Sequence, residues 1–378
     1  MHRRAVLVVG FLLLVTAASA IPPVRIPEPK TAFAPFEYVC RRAAGPVKID
    51  GRLDEATWAD ADWTEVFGDI EGPAKPAPRF RTRVQMLWDD AYLYIGAYLE
   101  EPHVWATLTA RDSIIFQDND FEVFIDPDGD THDYYELEMN ALNTVWDLLL
   151  VKPYRDGGPA VHSWDIQGLK TGVSVMGTLN DPSDRDKAWT VEIALPFAVL
   201  KECIPGKPER PAAGDQWRVN FSRVEYHVNA ETGSYVKAKD AGTGQPLPED
   251  NWTWTAQGVI NIHYPEMWGY VQFSSKTPGK GREKFDRRAE EKVKWALRKI
   301  YYAEWAHYYE KSSFGADIGR LGLGNEGALK VKGWSYPPVI QTTTSLFEAA
   351  YSTKGGESWH IRQDGLVWKI TPPKPEAR

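Results

Sequence analysis

The stretch DNDFEVFIDPDGDTHDYYELEMN, residues 118–140, contains two alternating runs around a turn rich in Asp, Pro and Gly. In the first run, Phe121, Val123 and Ile125 share one face of an extended chain, and acidic side chains share the other with Phe124. A period of two indicates β-strands, and the turn between the runs predicts a β-hairpin. The apolar face requires a core. The other face collects carboxylates and aromatic rings, which suits a polyhydroxylated ligand or a metal ion.

Alternation on both sides of this stretch predicts further strands. Residues 82–88 and 92–99 flank a turn and predict a second hairpin. More strands are predicted at residues 144–151, 172–179, 188–194, 217–224 and 259–273. Many short strands separated by turns indicate a mainly β protein, an antiparallel β-sandwich of the jelly-roll or immunoglobulin-like type. We place this domain at residues 36–275.

The composition changes at Lys276, where residues 276–288 become rich in Lys, Arg and Gly. Residues 290–311 carry apolar and aromatic side chains at helical spacing, which predicts a helix. Short strands are predicted after it, near residues 329–334, 342–351, 359–362 and 366–370. Residues 276–378 are therefore predicted to form an α+β extension of unknown role. Its helix either docks a protein partner or packs as part of a satellite subdomain.

The first twenty residues have the features of a secretory signal peptide. Arg3 and Arg4 precede a short apolar run, and small residues end at Ala20, where we expect cleavage. We therefore expect a secreted or periplasmic protein. Residues 21–35 are rich in proline and predict an extended linker. No later stretch is long and apolar enough to predict a membrane span.

Charge and composition narrow the classes of molecule that the protein is expected to bind. The net charge of −8 becomes −10 without residues 1–20, because these contain two arginines and no acidic residue. An acidic protein is a poor candidate for binding nucleic acid or an anionic membrane. The chain has 16 Trp and 17 Tyr, and such rings either fill a core or stack against sugar rings.

The two cysteines, Cys40 and Cys203, leave two alternatives open. In an exported protein they can form a disulfide, but the sequence does not show whether they come within reach of each other. Two cysteines without a histidine cluster argue against a structural zinc site. No cofactor is therefore expected to be required.

The turn of the opening hairpin is a candidate calcium site. Asp126, Asp128 and Asp130 supply the carboxylate oxygens that hard cations prefer. An EF-hand is excluded, because Thr131 stands at its glycine position and Leu137 at its closing glutamate position. An ordinary Asp/Gly turn is the alternative interpretation. Structural calcium is an expectation on this basis.

Four segments of the chain occur together in a recognisable order, namely residues 49–58, 87–95, 120–126 and 189–196. In this order they resemble the family 9 carbohydrate-binding module, one of the DOMON-like β-sandwiches, over residues 38–274. The resemblance implies an antiparallel sandwich that holds a sugar chain end between two aromatic rings. It also implies acidic and amide groups that bond the sugar hydroxyls, and structural calcium.

The resemblance also implies a set of ligand-binding residues. Carried over position by position, they are Phe116, Glu122, Glu138, Asn140, Asn251, Trp252 and Trp254. Phe116 stands where the family's binders have Trp, and Glu138 stands where they have Arg. An expected donor has thus become an acceptor. For Phe116 and the two tryptophans, packing in the core is the alternative to stacking on a sugar.

The resulting hypothesis is an exported, non-catalytic protein that binds a polysaccharide or a glycan end. A structural or assembly protein that keeps the sandwich without binding sugar is the first alternative. A glycoside hydrolase, or an accessory to carbohydrate catabolism, is the second, because Glu122 with Glu136 or Glu138 could form a carboxylate pair. The sequence lacks the His-Glu-x-x-His, Gly-x-Ser-x-Gly and phosphate-loop motifs of other enzymes.

Overall fold

The computed structural model describes residues 25–373, except 205–207, 209 and 232. The predicted signal peptide, residues 1–20, lies outside the described residues. The first strands are β1 Glu37–Arg42, β2 Gly68–Asp69, β3 Thr82–Trp88, β4 Tyr92–Glu100, β5 Asp120–Asp126, β6 Tyr134–Asn140, β7 Val145–Leu150, β8 Ala160–Val161 and β9 Lys170–Met176. They are followed by β10 Ala188–Pro196, β11 Gln216–Glu225, β12 Val228–Glu231, β13 Ser234–Lys237, β14 Asp250–Thr253 and β15 Gly269–Phe273. The extension has β16 Val339–Thr342, β17 Phe347–Ser352, β18 Ser358–Arg362 and β19 Val367–Ile370, and the helices are α1 Ala56–Ala59, α2 Phe197–Leu200 and α3 Glu291–Lys311.

Two sheet layers enclose the main core and confirm the mainly β sandwich. One layer has the order β8-β7-β6-β5-β11-β15-β1, with β14 beside β11 and β2 beside β14. The other has the order β1-β3-β4-β10-β9. Strand β1 joins the layers, because residues 37–40 pair with β15 and residues 41–42 pair with β3, in parallel both times. The other strand pairs of both layers are antiparallel.

The opening hairpin forms as β5 and β6, with Phe121 opposite Met139 and Val123 opposite Leu137. These side chains, with Ile125, lie in the main core between the two layers. The alternating side chains therefore point to the other face of this sheet. The sequence pattern thus predicted both the strands and the side that each face takes.

Two strand predictions are wrong. Within residues 259–273 only Gly269–Phe273 forms a strand, and Pro265–Met267 is a 3₁₀ turn, because proline cannot donate to a sheet ladder. No strand forms within residues 329–334, which follow a 3₁₀ turn at Gly327–Leu329. Leu329 instead fills the core of the extension, where its carbonyl accepts the hydroxyl of Tyr351.

Cys40 and Cys203 are free and buried in the structure. Both lie in the main core. Burial raises the pKa of both thiols. The structure therefore shows two free thiols and no disulfide between Cys40 and Cys203.

The extension forms a second hydrophobic core that it shares with the sandwich. Helix α3 packs against β17 and β18, and Val259, Tyr264 and Met267 of the sandwich contribute to this core. The helix thus covers its apolar side within the chain, as the satellite-subdomain alternative expects. Among the described residues, no helix combines the length and apolar character that a membrane span requires.

A buried ion-pair network joins the two parts of the chain. The Arg155 guanidinium donates to both carboxylate oxygens of Glu266, at 2.8 and 2.9 Å. Tyr302 of α3 donates its hydroxyl to Glu266, and Tyr301 donates to Asp156. We call these five residues the docking network.

The proline-rich segment is packed where it is described. Ile26 is buried in the core of the extension, and the ring of Phe33 stacks on Trp295 of α3 at 4.1 Å between centroids. The carbonyl of Pro27 accepts the Tyr264 hydroxyl at 3.0 Å. Residues 25–35 thus lie against the extension and the adjoining part of the sandwich.

Glu304 of α3 makes the stability of the extension depend on pH. It is fully buried, its Oε2 accepts the N–H of Gly315 at 2.7 Å, and its Oε1 has no partner. Burial raises the pKa of Glu304 from 4.5 to about 7. Because the folded state holds this proton more tightly than the unfolded chain, the contribution is full below pH 4.5 and is lost as the pH rises through about 7.

We therefore expect Glu304→Gln to lose less stability than wild type when the pH rises from about 5 to about 8, by roughly 2 kcal/mol. Urea unfolding at both pH values measures this difference. Glu310→Gln, on the exposed end of the same helix, is the matched control and should follow wild type. Parallel pH profiles for wild type and Glu304→Gln would contradict the assignment.

Candidate ligand-binding site

A cavity of about 260 Å³ opens on the face of β5, β6 and β7 that points away from the main core. It contains four of the seven predicted ligand residues: Phe116, Glu122, Glu138 and Asn251. Its full lining is Ile70, Phe116, Glu122, Glu136, Glu138, Trp146, Tyr154, Val224, Glu249, Asn251, Ile260, Asn261, Ile262 and His263. The strands and loops that carry these residues are far apart in sequence, and the fold brings them together.

The floor of the cavity is acidic. Glu122 and Glu138 are directly opposite each other on β5 and β6, and Glu136 is the next residue along the same face. Asp120, two residues before Glu122 on that face, is fully buried beside them. We call Asp120, Glu122, Glu136 and Glu138 the carboxylate cluster.

Burial weakens the acidity of the whole cluster. It raises the pKa of Glu122 to about 7, although the Ser222 side chain bonds to this carboxylate and lowers it. Burial, followed by the charge of Glu122, raises the pKa of Glu136 to about 8. The pKa values of Asp120 and Glu138 lie well above the usual range for the same two reasons. The cluster thus tends to retain protons unless a positive charge or a hydrogen-bond donor is supplied from outside.

The rim of the cavity is aromatic and partly open to solvent. The side chains of Phe116, Tyr154 and Ile260 are 41%, 46% and 65% exposed. Beneath Phe116 lies the ring of Trp146, with centroids 6.5 Å apart. The backbone N–H of Phe116 donates to Glu138 Oε2 at 3.1 Å, which ties the rim to the floor. An aromatic rim above carboxylates suits a ligand with apolar faces and hydroxyl edges.

His263 contributes a neutral ring to the cavity wall. Its Nδ1 makes a 2.9 Å hydrogen bond with the hydroxyl of Tyr134, and the ring of Tyr154 meets it edge-on at 4.7 Å. Burial, with the nearby Arg155 charge, lowers the pKa of His263 to about 3. The imidazole is therefore uncharged at neutral pH and does not neutralise the carboxylate cluster.

Asn140 does not contact the cavity, which corrects its assignment as a ligand residue. Its side-chain amide donates to Leu108 O and Asp118 Oδ2, at 2.8 and 3.0 Å. Its Oδ1 accepts the N–H groups of Leu142 and Thr144, both at 3.1 Å. The amide group is saturated by these bonds, and it holds the turn after β6 in place.

Trp252 and Trp254 are core residues, so their assignment to the site is also corrected. Both share a face, as predicted, but that face belongs to the main core, and they are 2% and 1% exposed. Trp254 donates its indole N–H to Glu65 at 3.0 Å. A Cβ on Gly269 would lie 2.4 Å from the same ring, so the ring fills its space completely.

Several cavity residues were not singled out from the sequence as sugar contacts. Trp146 belongs to a predicted strand, and alternation along β7 gives the face it occupies. The face that Glu136 occupies could also be predicted, because Glu136 lies two residues before Glu138 on the same strand and therefore shares its face. Asn261 and His263 lie in irregular segments and Tyr154 begins a short 3₁₀ turn, where no periodicity shows the direction of a side chain.

The acidic turn between β5 and β6 converges as predicted, and its metal binding stays a prediction. Asp126, Asp128 and Asp130 each offer a carboxylate oxygen within 4.8 Å of the others. Asp126 accepts the N–H groups of Gly129 and Thr131, at 2.8 and 2.9 Å, as an ordinary Asp/Gly turn does. The turn also contacts the extension, because the Thr131 hydroxyl donates to Gly365 O at 3.0 Å.

Comparison with known proteins places the chain in a family. No curated protein matches it. Among solved structures, it is similar to a family 9 carbohydrate-binding module of Caldicellulosiruptor kristjanssonii in complex with cellotriose, with 15% identity, 66% of this chain and 98% of the other covered, and a TM-score of 0.39. A family 9 carbohydrate-binding module of the same organism in complex with glucose gives 14% identity, 65% and 100% coverage, and a TM-score of 0.39.

A provisionally named carbohydrate-binding protein of Bacteroides uniformis gives 13% identity, 64% and 100% coverage, and a TM-score of 0.46. The family model matches residues 49–275. This range contains the whole cavity and both hairpins. The chain therefore belongs to the family described as carbohydrate family 9 binding domain-like.

Proposed function

We propose that this chain is an exported, non-catalytic carbohydrate-binding protein and that it holds a glycan end in the cavity above β5 and β6. The observation that carries the proposal is the acidic floor beneath the exposed rings of Phe116 and Tyr154. Membership of the family supports the ligand class, and the signal segment at residues 1–20 supports export.

The chemistry of the cavity suits a sugar. The C–H faces of a pyranose ring are apolar and stack on aromatic rings, which the rim offers. Sugar hydroxyls donate to carboxylates in strong, charge-assisted bonds, and Glu122 and Glu138 lie side by side at the floor. Asn251 and Asn261 add amides at the wall, and amides both donate and accept.

The size of the cavity favours one terminal sugar ring. Cavities that enclose drug-sized ligands measure about 300–1,000 Å³, and this one measures about 260 Å³. A single ring therefore fits, with the rest of the glycan outside. We expect the second ring to contact Ile260 and Tyr154, whose side chains are exposed at the rim.

Replacement of the rim rings should weaken sugar binding without unfolding the protein. We expect Tyr154→Ala and Phe116→Ala each to weaken binding about tenfold or more, because each removes an aromatic platform from an exposed position. Affinity electrophoresis and calorimetry on a panel of soluble polysaccharides and oligosaccharides measure this. Tyr309→Ala is the matched control, since Tyr309 is exposed on α3, away from the cavity.

The same assays separate the alternatives. If wild type is not retained by any glycan of the panel, the structural or assembly alternative replaces the proposal. Release of reducing sugar that Glu122→Gln abolishes would replace it with a hydrolase. Retention of wild type, loss in the rim variants and no sugar release are the expected results.

A further inference from the structure

The carboxylate cluster is acidic without a compensating cation from the protein. Among residues 25–373 outside the short gaps, no lysine, arginine or histidine forms an ion pair with any of its four members. The charges that act on them most strongly belong to other cluster members, and these repel. Buried carboxylates are normally paired with a cation or coordinate a metal.

Two buried oxygens of the cluster have no hydrogen-bond partner. Asp120 is fully buried, and only its Oδ1 is bonded, to the N–H of Val224 at 3.1 Å, while Oδ2 has no partner. Glu136 is 5% exposed and lines the cavity, and its Oε2 also has no partner. An unsatisfied buried oxygen is costly and therefore uncommon. A cation bound by Asp120 would satisfy its free oxygen.

The spacing of the oxygens fits calcium. One carboxylate oxygen each of Asp120, Glu122 and Glu138 lies within 4.8 Å of the other two. Calcium binds oxygens at about 2.3–2.6 Å, so two ligands on opposite sides of the ion lie roughly 5 Å apart. Magnesium is usually held by only one or two carboxylates and keeps several waters. Three converging carboxylates therefore favour calcium.

We propose that Asp120, Glu122 and Glu138 bind a calcium ion at the floor of the cavity, with Glu136 beside it. The site is separate from the acidic turn at Asp126, Asp128 and Asp130. It uses side chains that lie opposite each other on β5 and β6, so the sheet itself fixes their spacing.

The ion also gives Glu138 a role in ligand binding. Calcium takes about six to eight oxygen ligands, so three carboxylates leave positions free. Glu122 and Glu138 line the cavity, so the free positions face the ligand, and two neighbouring hydroxyls of a sugar ring can fill them. This part of the inference rests on the proposed function. The ion supplies the positive charge that Glu138 cannot.

Calcium titration of the chelator-treated, full mature chain tests the ion by itself. We expect saturable calcium binding by calorimetry, a rise in melting temperature with calcium chloride, and terbium luminescence sensitised by nearby Trp146 and displaced by calcium. Glu138→Gln, which keeps the shape and removes the charge, should weaken calcium binding by at least roughly tenfold. Glu310→Gln, an exposed glutamate of α3, is the charge-matched control and should bind calcium as wild type does.

The acidic turn provides the competing assignment. If Asp130→Asn abolishes the calcium response and Glu138→Gln keeps it, the ion binds at the turn and the proposal is wrong. Absence of any calcium response in wild type would also overturn it. Circular dichroism of each variant confirms folding before the titration.

Measurement of sugar affinity with calcium and with chelator tests whether the ion connects the carboxylates to the sugar hydroxyls. We expect a glycan that binds wild type to lose at least about tenfold in affinity with chelator and to regain it with calcium. Equal affinity in both buffers would overturn the bridging role and leave both calcium and sugar binding intact. Calcium binding without retention by any glycan would show that the proposed function has failed while the ion site stands.

Discussion

Replacement of Arg155 by methionine is expected to lower the free energy of unfolding by about 3–5 kcal/mol at neutral pH. The Arg155 side chain is 4% exposed and bonds both oxygens of Glu266. Burial alone would raise the pKa of Glu266, but the charges of Arg155 and Arg298, together with the hydrogen bonds from Arg155 and Tyr302, lower it to about 2. Without Arg155, a buried carboxylate loses its main counter-charge at the junction of the sandwich and the extension.

The pH dependence of the variant has a definite sign. In wild type the pKa of Glu266 is lowered, so its contribution is full above pH 4.5 and is lost as the pH falls toward about 2. In Arg155→Met the pKa of Glu266 should instead rise, so the variant should lose stability as the pH increases from acid to neutral. Urea unfolding over this range measures both curves.

A surface pair of the same chemistry serves as the control. Arg287 bonds Glu37 through two nitrogens, at 2.6 and 3.1 Å, but the Arg287 side chain is 81% exposed. Exposed pairs contribute little to stability because water screens them, so Arg287→Met should resemble wild type. Similar losses in the two variants would show that burial of the Arg155 pair does not decide its contribution.

Replacement of Trp254 by alanine should lower the free energy of unfolding by about 3–5 kcal/mol. The ring is buried in the main core, its indole N–H bonds Glu65, and it lies against Phe36 and Phe221. Removal leaves a large cavity in the core. Denaturant unfolding measures the loss, and Tyr154→Ala, at the exposed rim, should stay close to wild type in stability.

Variants of Trp254 and Tyr154 should affect stability and sugar binding separately. Trp254→Phe keeps part of the core volume, so a folded variant can be tested for sugar affinity, which should remain near that of wild type. Tyr154→Ala should show the reverse, with wild-type stability and weak binding. If Trp254→Phe is stable but binds sugar poorly, Trp254 belongs to the site after all and the core assignment is wrong.

The local pattern of the chain was enough to predict most of the fold. The alternation around residues 82–99 and 118–140 gave both hairpins and the direction of each face, because a strand has a period of two. Helix α3 begins at Glu291, one residue after the predicted start. The errors fell at residues 259–268 and 329–334, where apolar side chains fill a core from irregular backbone.

The site was only partly predictable, because sequence patterns show which face a residue takes but not which loops meet. The shared position of Glu122 and Glu138 on the outer face of the sheet followed from the alternation in the hairpin. Trp254 shared the chemistry of a sugar platform, yet its face turned out to be the inner one. Tyr154 and His263 meet at 4.7 Å although 108 intervening positions separate them, and nothing local in the chain relates them.

The sequence by itself determined the strands, their inner and outer faces, the terminal helix and the acidic character of the hairpin. These follow from local periodicity and charge. Only the tertiary structure decided that the acidic face of β5 and β6 is covered into a cavity and that the tryptophans of residues 252–254 fill the core. It also decided that Tyr301 and Tyr302 of the extension bond to Asp156 and Glu266 of the sandwich. Each of these depends on contacts between segments distant in the chain, which packing and charge pairing select together.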